Sequence, residues 1–312
     1  MRPAPRRPPG WHGVLLCCVL SAALMFGGPT GVEAAAAADF QRLLKTFSDF
    51  SDRSTGATGN AEAAAFIKQA LERLGIGAVE SHAFAVPVIR RGVSTLEAPQ
   101  RGITLSLHPL AGNAVTPQAV APPGLTGPLV YVGDGELERL NGKPIEGAVL
   151  LMEFHSGRNW LQAANLGARA LIYVDRGETA GMDFEEKFEL SPIQFPRFWM
   201  PAAALAQAFG AFETAPEGRV ADEVRLRAAA VWENVVSENI YCIVPGTSPE
   251  LRGEMLIVEA FYDSTAHVAG LSPGADEAVG AATLLQAAQY LKEHPPARTV
   301  MLVASSGHAQ SL

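Results

Sequence analysis

Cysteine is scarce in this 312-residue chain, which holds only Cys17, Cys18 and Cys242. The first two lie in an N-terminal apolar run, so removal of a leader leaves Cys242 alone and no intramolecular disulfide can form. That excludes a small disulfide-stapled scaffold and fits an exported protein of a bacterial periplasm or cell surface. Basic clusters are absent beyond the extreme N-terminus and the net charge is −8, which excludes a phosphate-tracking nucleic-acid surface. Aromatic residues make up 7%, and Trp160, Trp199 and Trp232 are too scattered to form a stacking platform. No Gly-x-Ser-x-Gly elbow surrounds Ser264, Ser305 or Ser306, and Gly274-Ala275-Asp276 lacks the lysine and later glycine of a phosphate loop.

The chain does have the composition of a globular protein, with 48% apolar and 18% charged residues, and its length suggests about two domains. Residues 1–36 read as an export signal. Arg2, Arg6 and Arg7 precede an apolar run over 14–26, Gly27, Gly28 and Pro29 break it, and small residues around Ala34 offer cleavage sites. As a helix those 13 residues reach about 20 Å, short of the ~30 Å hydrocarbon core, so no stable transmembrane span remains after signal removal. Bulky Leu16 before Cys17 argues against a lipoprotein. The mature chain carries 21 basic and 31 acidic residues, about −10.

Three segments follow. Residues 39–77 read as a helical hairpin. Phe40, Leu43, Leu44, Phe47 and Phe50 mark its first apolar face, and Phe66, Ile67, Ala70, Leu71 and Leu74 the second. Asn60 is expected to cap the second helix and Gly75 to end it, and nothing in the hairpin looks chemical. Residues 80–233 form a β-rich segment with many Gly and Pro, an irregular connection at 117–128, strands at 129–133, 148–152 and 170–174, and a short helix at 159–166. From 234 to 312 the pattern is α/β: a strand at 255–260 expected to be buried on both faces, a helix at 277–293 and a strand at 299–304. Together these form a right-handed βαβ unit. Cys242 sits in an apolar stretch and reads as packing.

The order of parts within 120–205 resembles the protease-associated domain. The resemblance rests on Gly133, the Gly142-Lys143-Pro144-Ile145-Glu146-Gly147 turn and the helix-to-strand unit at 164–174. It implies a module that shapes access or takes a peptide or protein ligand, with His155, Asp175 and Asp183 as loop residues. Ligands of an open parallel sheet gather at the carboxyl ends of its strands. This rule selects the loops at 261–264, 273–277 and 305–310.

The leader at 239–246, the hairpin loop with Asp52-Arg53-Ser54-Thr55-Gly56 and Gly59-Asn60, and these strand-end loops resemble the di-zinc aminopeptidases of metallopeptidase family twenty-eight. That family includes glutamate-carboxypeptidase and transferrin-receptor type proteins. The resemblance implies a His after the first strand, a second-shell Asp two residues later, a bridging Asp before the helix, and a general-base Glu followed by a ligand Glu after the second strand. The matching positions hold Phe261, Asp263, Asp276 (or Glu277 if the loop is counted from Gly274), His308 and Ala309. Phe261 and Ala309 offer no ligand atom, and His308 replaces the base.

The fold expected is therefore α/β: a helical hairpin, a β-rich protease-associated domain and the first βαβ part of a zinc-aminopeptidase-like sheet. The function expected is that of an exported, catalytically inactive peptidase-like binding or scaffold protein, with no cofactor. The alternative is an active metallo-aminopeptidase or carboxypeptidase with altered ligands drawn from Asp263, His267, Asp276 and His308, in which case zinc is required. The 79 residues of 234–312 are thin for a two-sided sheet, whose domains usually run to ~100–150 residues. The segment is therefore expected to be incomplete, with its last strand left at an edge or under-covered.

Overall fold

A computed structural model describes residues 31–113, 116–177, 187, 192–264 and 277–308, with side chains from 37 onward. Helices α1 (Gly31–Asp49) and α2 (Thr58–Leu74) form the hairpin. Gly75, at φ 64°, closes α2 and gives its N–H to the carbonyls of Leu71 and Glu72. The expected cap at Asn60 is not the one found: α2 starts at Thr58 after Ala57, and Asn60 is buried in the first turn. Gly59 permits the early start, because a Cβ there would lie 2.3 Å from the Asp52 carbonyl oxygen.

Next come β1 (Val79–Ala98), β2 (Ile103–Ser106), β3 (His108–Pro109) and β4 (Val120–Tyr131), so most of the connection expected to be irregular at 117–128 is strand. They are followed by α3 (Leu137–Leu140), β5 (Val149–Glu153), α4 (Trp160–Asn165), β6 (Ala170–Asp175), β7 (Arg197–Pro201) and α5 (Ala202–Phe209). The last described elements are β8 (Arg219–Val244), β9 (Met255–Phe261), α6 (Ala278–Glu293) and β10 (Thr299–Ser305).

The strands join in the order β2-β1-β8-β4-β5-β6-β7-β3, with β10 on β8 and β9 on β10. β1 and β8 are antiparallel from Val79↔Cys242 to Glu97↔Arg225, with an irregularity between Arg91 and Ser94. The expected boundary at 233/234 falls inside β8.

β5 and β6 are parallel and buried on both faces. Their alternate residues feed two cores. Val149, Leu151 and Ile172 face the side that α5 covers through Leu205. Leu150, Met152 and Tyr173 face the side that holds Leu140 and Trp160. Trp160 stacks on Phe195 at 6.1 Å, and the Arg197 guanidinium lies 4.0 Å from its ring centroid.

A separate core gathers Phe47, Ile67 and Leu71 of the hairpin, Leu284, Leu285 and Ala288 of α6, and Ile240, Cys242, Val244, Val300 and Leu302 of the sheet. Cys242 is fully buried, and burial pushes its thiol pKa up, as a packing residue requires.

β9, α6 and β10 form the expected βαβ unit, with β9 and β10 parallel from Thr299↔Met255 to Ser305↔Phe261. Two expectations are corrected. β10 is not at an edge, because β8 flanks it on the other side. β9, expected to be buried on both faces, pairs among the described strands with β10 alone, and Met255, Leu256, Ile257 and Val258 are exposed, Ile257 at 64%. Its apolar sequence answers to a covered strand, and no described element covers it. Among the described residues no helix is long and apolar enough to cross a membrane.

The two neighbouring strands should respond differently to substitution. Leu302→Ala empties a fully packed position and is expected to cost about 2–5 kcal/mol. Leu256→Ser, on exposed β9, should shift stability by no more than about 0.5 kcal/mol. Urea midpoints compared at equal slope would measure both.

Candidate functional site

Parallel pairing brings the carboxyl ends of β9 and β10 together, and the residues that follow them meet the loop of the helical hairpin. Phe261 and His308 stack face to face, with ring centroids 4.1 Å apart and planes 3° from parallel. Tyr262 turns inward, donates from its hydroxyl to the Glu238 carbonyl at 2.8 Å, and is pushed up to a pKa of about 12 chiefly by burial.

Asp263 is 2% exposed. Its Oδ2 accepts hydrogen bonds from Thr55 Oγ1 at 2.9 Å, Gly307 N–H at 2.9 Å and His308 N–H at 3.0 Å. A position that the family resemblance gives to ring orientation here holds the loop after β10 against the hairpin. Burial raises the carboxyl pKa, and the Thr55, His308 and Gly307 hydrogen bonds counter only part of that rise. Asp263 Oδ1 and the neighbouring Ser264 hydroxyl are buried without a hydrogen-bond partner.

The hairpin contributes hydrogen bonds as well as packing. Arg53, fully buried, donates from Nε to the Tyr262 carbonyl at 3.1 Å and from a terminal nitrogen to the Phe47 carbonyl at 2.6 Å. Its own carbonyl accepts the Ser264 N–H at 3.1 Å. Burial lowers the guanidinium pKa, and the nearby charges of Glu277 and Asp263 oppose that shift. Asn60 gives Nδ2–H to Ser306 Oγ at 3.2 Å. Ser237 Oγ lies 3.1 Å from Asn60 Oδ1 and 2.9 Å from Ser306 Oγ, and its one proton can serve only one of them. Ser306 N–H donates to Asn239 Oδ1 at 3.0 Å. The readable signal for these contacts was a run of small and polar residues, Arg53 to Asn60, between two apolar helices.

Of the residues singled out from sequence, Phe261, Asp263 and His308 come together at the strand ends, and Glu277 immediately precedes α6. Asp276, His267 and Ala309 lie outside the described residues. The fit to zinc can be judged on what is described. Phe261 has no lone pair, its ring covers that of His308, and one Asp263 oxygen is saturated by three donors. Among the described residues no group of three His, Cys, Asp or Glu is placed to hold a metal ion. These residues do not fit a zinc ligand set, and no hydrolytic step is assigned to them.

Asp263 separates a hydrogen-bonding role from a charge role. Asp263→Asn retains an acceptor toward Thr55, Gly307 and His308 and removes the buried charge. Asp263→Ala orphans both N–H groups and should cost about 3 kcal/mol. Because the folded pKa is raised, the native state binds the proton more tightly than the unfolded state. Wild-type stability should therefore fall as pH rises from the unfolded carboxyl pKa through the raised folded one, and Asp263→Asn should lack that slope. Chemical denaturation across this acidic window would measure both effects.

Residues 239–311 match the sequence model of Peptidase family M28. Comparison with curated proteins finds no match. Among solved structures, a zinc aminopeptidase from Bacillus subtilis aligns at 21% identity over 87% of this chain and 61% of that chain, with a TM-score of 0.59. A peptidase M28 precursor from Shewanella amazonensis aligns at 18% identity over 87% and 66%, with a TM-score of 0.51. The chain thus spans about three-fifths of the length of the Bacillus enzyme. Residues 239–311 thus resemble peptidase family M28 in sequence, and the described residues share the fold of the Bacillus zinc aminopeptidase.

Proposed function

We propose that the protein is an exported, peptidase-like binding or scaffold protein in which the M28 strand-end site has lost its hydrolytic machinery. The observation that carries this reading is the Phe261–His308 stack, which sets an apolar ring against the residue at the general-base position. A water nucleophile at neutral pH needs strong activation, which a metal can supply by lowering its pKa from 15.7 to about 7. A phenylalanine ring and a tightly hydrogen-bonded carboxylate provide no such centre. Asp263, Arg53, Asn60, Ser237 and Ser306 instead tie strand ends and hairpin into a fixed surface. Export is supported by the arginine-led apolar segment over 14–26 and by a mature chain without a cysteine pair. The β-rich segment at 80–233 is the part we assign to a peptide or protein ligand.

Metal content and hydrolysis test the loss of chemistry together. Purified chain incubated with zinc and then desalted should retain well below one zinc per molecule and release no amino acid from aminoacyl nitroanilides or short peptides. Stoichiometric zinc with measurable release would sink the reading in favour of an exopeptidase with altered ligands.

A further inference from the structure

Away from the strand ends, a cavity of about 510 Å³ opens between the end of β4, the turn after α3 and the short helical turn before β8. Its size lies within the range of small-molecule sites. Two parts of its wall are already satisfied. Arg176 grips Glu153 with two hydrogen bonds, at 2.9 and 2.6 Å, and reaches Glu213 at 3.3 Å, while the Tyr131 hydroxyl donates to Glu153 at 2.6 Å. Burial opposes ionisation of Glu153, yet the Arg176 and Tyr131 hydrogen bonds hold its pKa below the usual value, with Asp134 close enough to push back.

Four other charged side chains line the same cavity: Asp134, Arg139, Lys143 and Glu217. None forms an ion pair among the described residues. The Lys143 ammonium has the Tyr131 carbonyl at 2.9 Å, leaving donors to spare. Burial lowers its pKa and nearby Arg139 lowers it further, so two like charges face one opening.

The backbone here is also unusual. Glu217 has φ 50° and ψ 21° and is the one non-glycine residue with positive φ among those described. A left-handed conformation at a side chain of this kind is strained, and such strain gathers at functional sites. Gly218 follows at φ 70°, and a Cβ on it would sit 2.3 Å from the Tyr131 carbonyl oxygen and 3.2 Å from the Lys143 stem. The glycine thus lets the turn close on β4 against the Lys143 stem, and Glu217 lines the same cavity as the two cations.

We propose that this cavity binds a zwitterion of amino-acid to dipeptide size, its carboxylate held by Arg139 and Lys143 and its ammonium by Glu217 and Asp134. The site lies apart from the strand ends and does not depend on how they are read. Charge of both signs left unpaired around one opening suits a ligand that carries both. A simple anion would meet the two carboxylates, and a simple cation the arginine and lysine.

Calorimetric titration of the full chain with L-alanyl-L-alanine tests the proposal, with N-acetyl-L-alanine and L-alaninamide as the two half-ligands. Saturable dipeptide binding is expected, weakened about tenfold or more in either half-ligand and in Arg139→Gln or Lys143→Gln. Glu217→Gly keeps the left-handed turn while deleting the carboxylate, so it should lose dipeptide affinity and still bind N-acetyl-L-alanine like the parent. Cooperative thermal transitions with midpoints no lower than the parent's in all three variants would show that the fold is intact. No saturable dipeptide binding, half-ligands as strong as the dipeptide, or variants that bind it undiminished would each overturn the proposal.

Discussion

One hydrogen-bonded strand holds the molecule together. β8 runs for 26 residues and pairs with β1 along most of its length, with β4 at its start and with β10 at its end. Val224, Leu226 and Ala228 enter one core, while Ile240, Cys242 and Val244 enter another. A slip of one residue would turn both sets toward solvent, so the register of a single strand is enforced from two places at once. The hairpin, α6 and the strand-end loops take their positions from the second of these cores.

At the strand ends the constraint passes from packing to hydrogen bonding. Asp263 draws three donors from two distant parts of the chain onto one oxygen, and Arg53 does the reverse, donating to carbonyls on either side of the same junction. Buried charges of this kind are retained only when well satisfied. The arrangement explains how the loop after β10 keeps its place when its ring contact is only Phe261 against His308.

Sequence reasoning reached the elements whose pattern is strong and local. β5, β6, β9, α6 and β10 fall within one or two residues of their expected spans, because continuous apolar runs and a helical apolar period leave little choice. β1 and β8 escaped as long strands. Pro87, Gly92 and the charged pair Arg90-Arg91 interrupt β1, and its order comes from a partner more than a hundred residues away. The exposure of β9 was illegible for a related reason, since an apolar strand does not declare what lies beside it. Within the site, Phe261, Asp263 and His308 could be placed together from the strand-end rule alone. The roles of Arg53, Thr55, Asn60 and Ser237 could not, because each is defined by a contact across the fold.

The placement of Trp160 between Phe195 and the Arg197 guanidinium has an optical corollary. Trp160, Trp199 and Trp232, the indoles of the described residues, all lie outside the core that the hairpin and α6 build on the end of β8. The core of α1, α2, α6 and β10 has no indole and holds most of the helix. Fluorescence and far-ultraviolet dichroism therefore look at different halves of the same ladder. If β8 couples them fully, melting curves from the two signals superimpose, and any gap between them measures how far one half can open without the other.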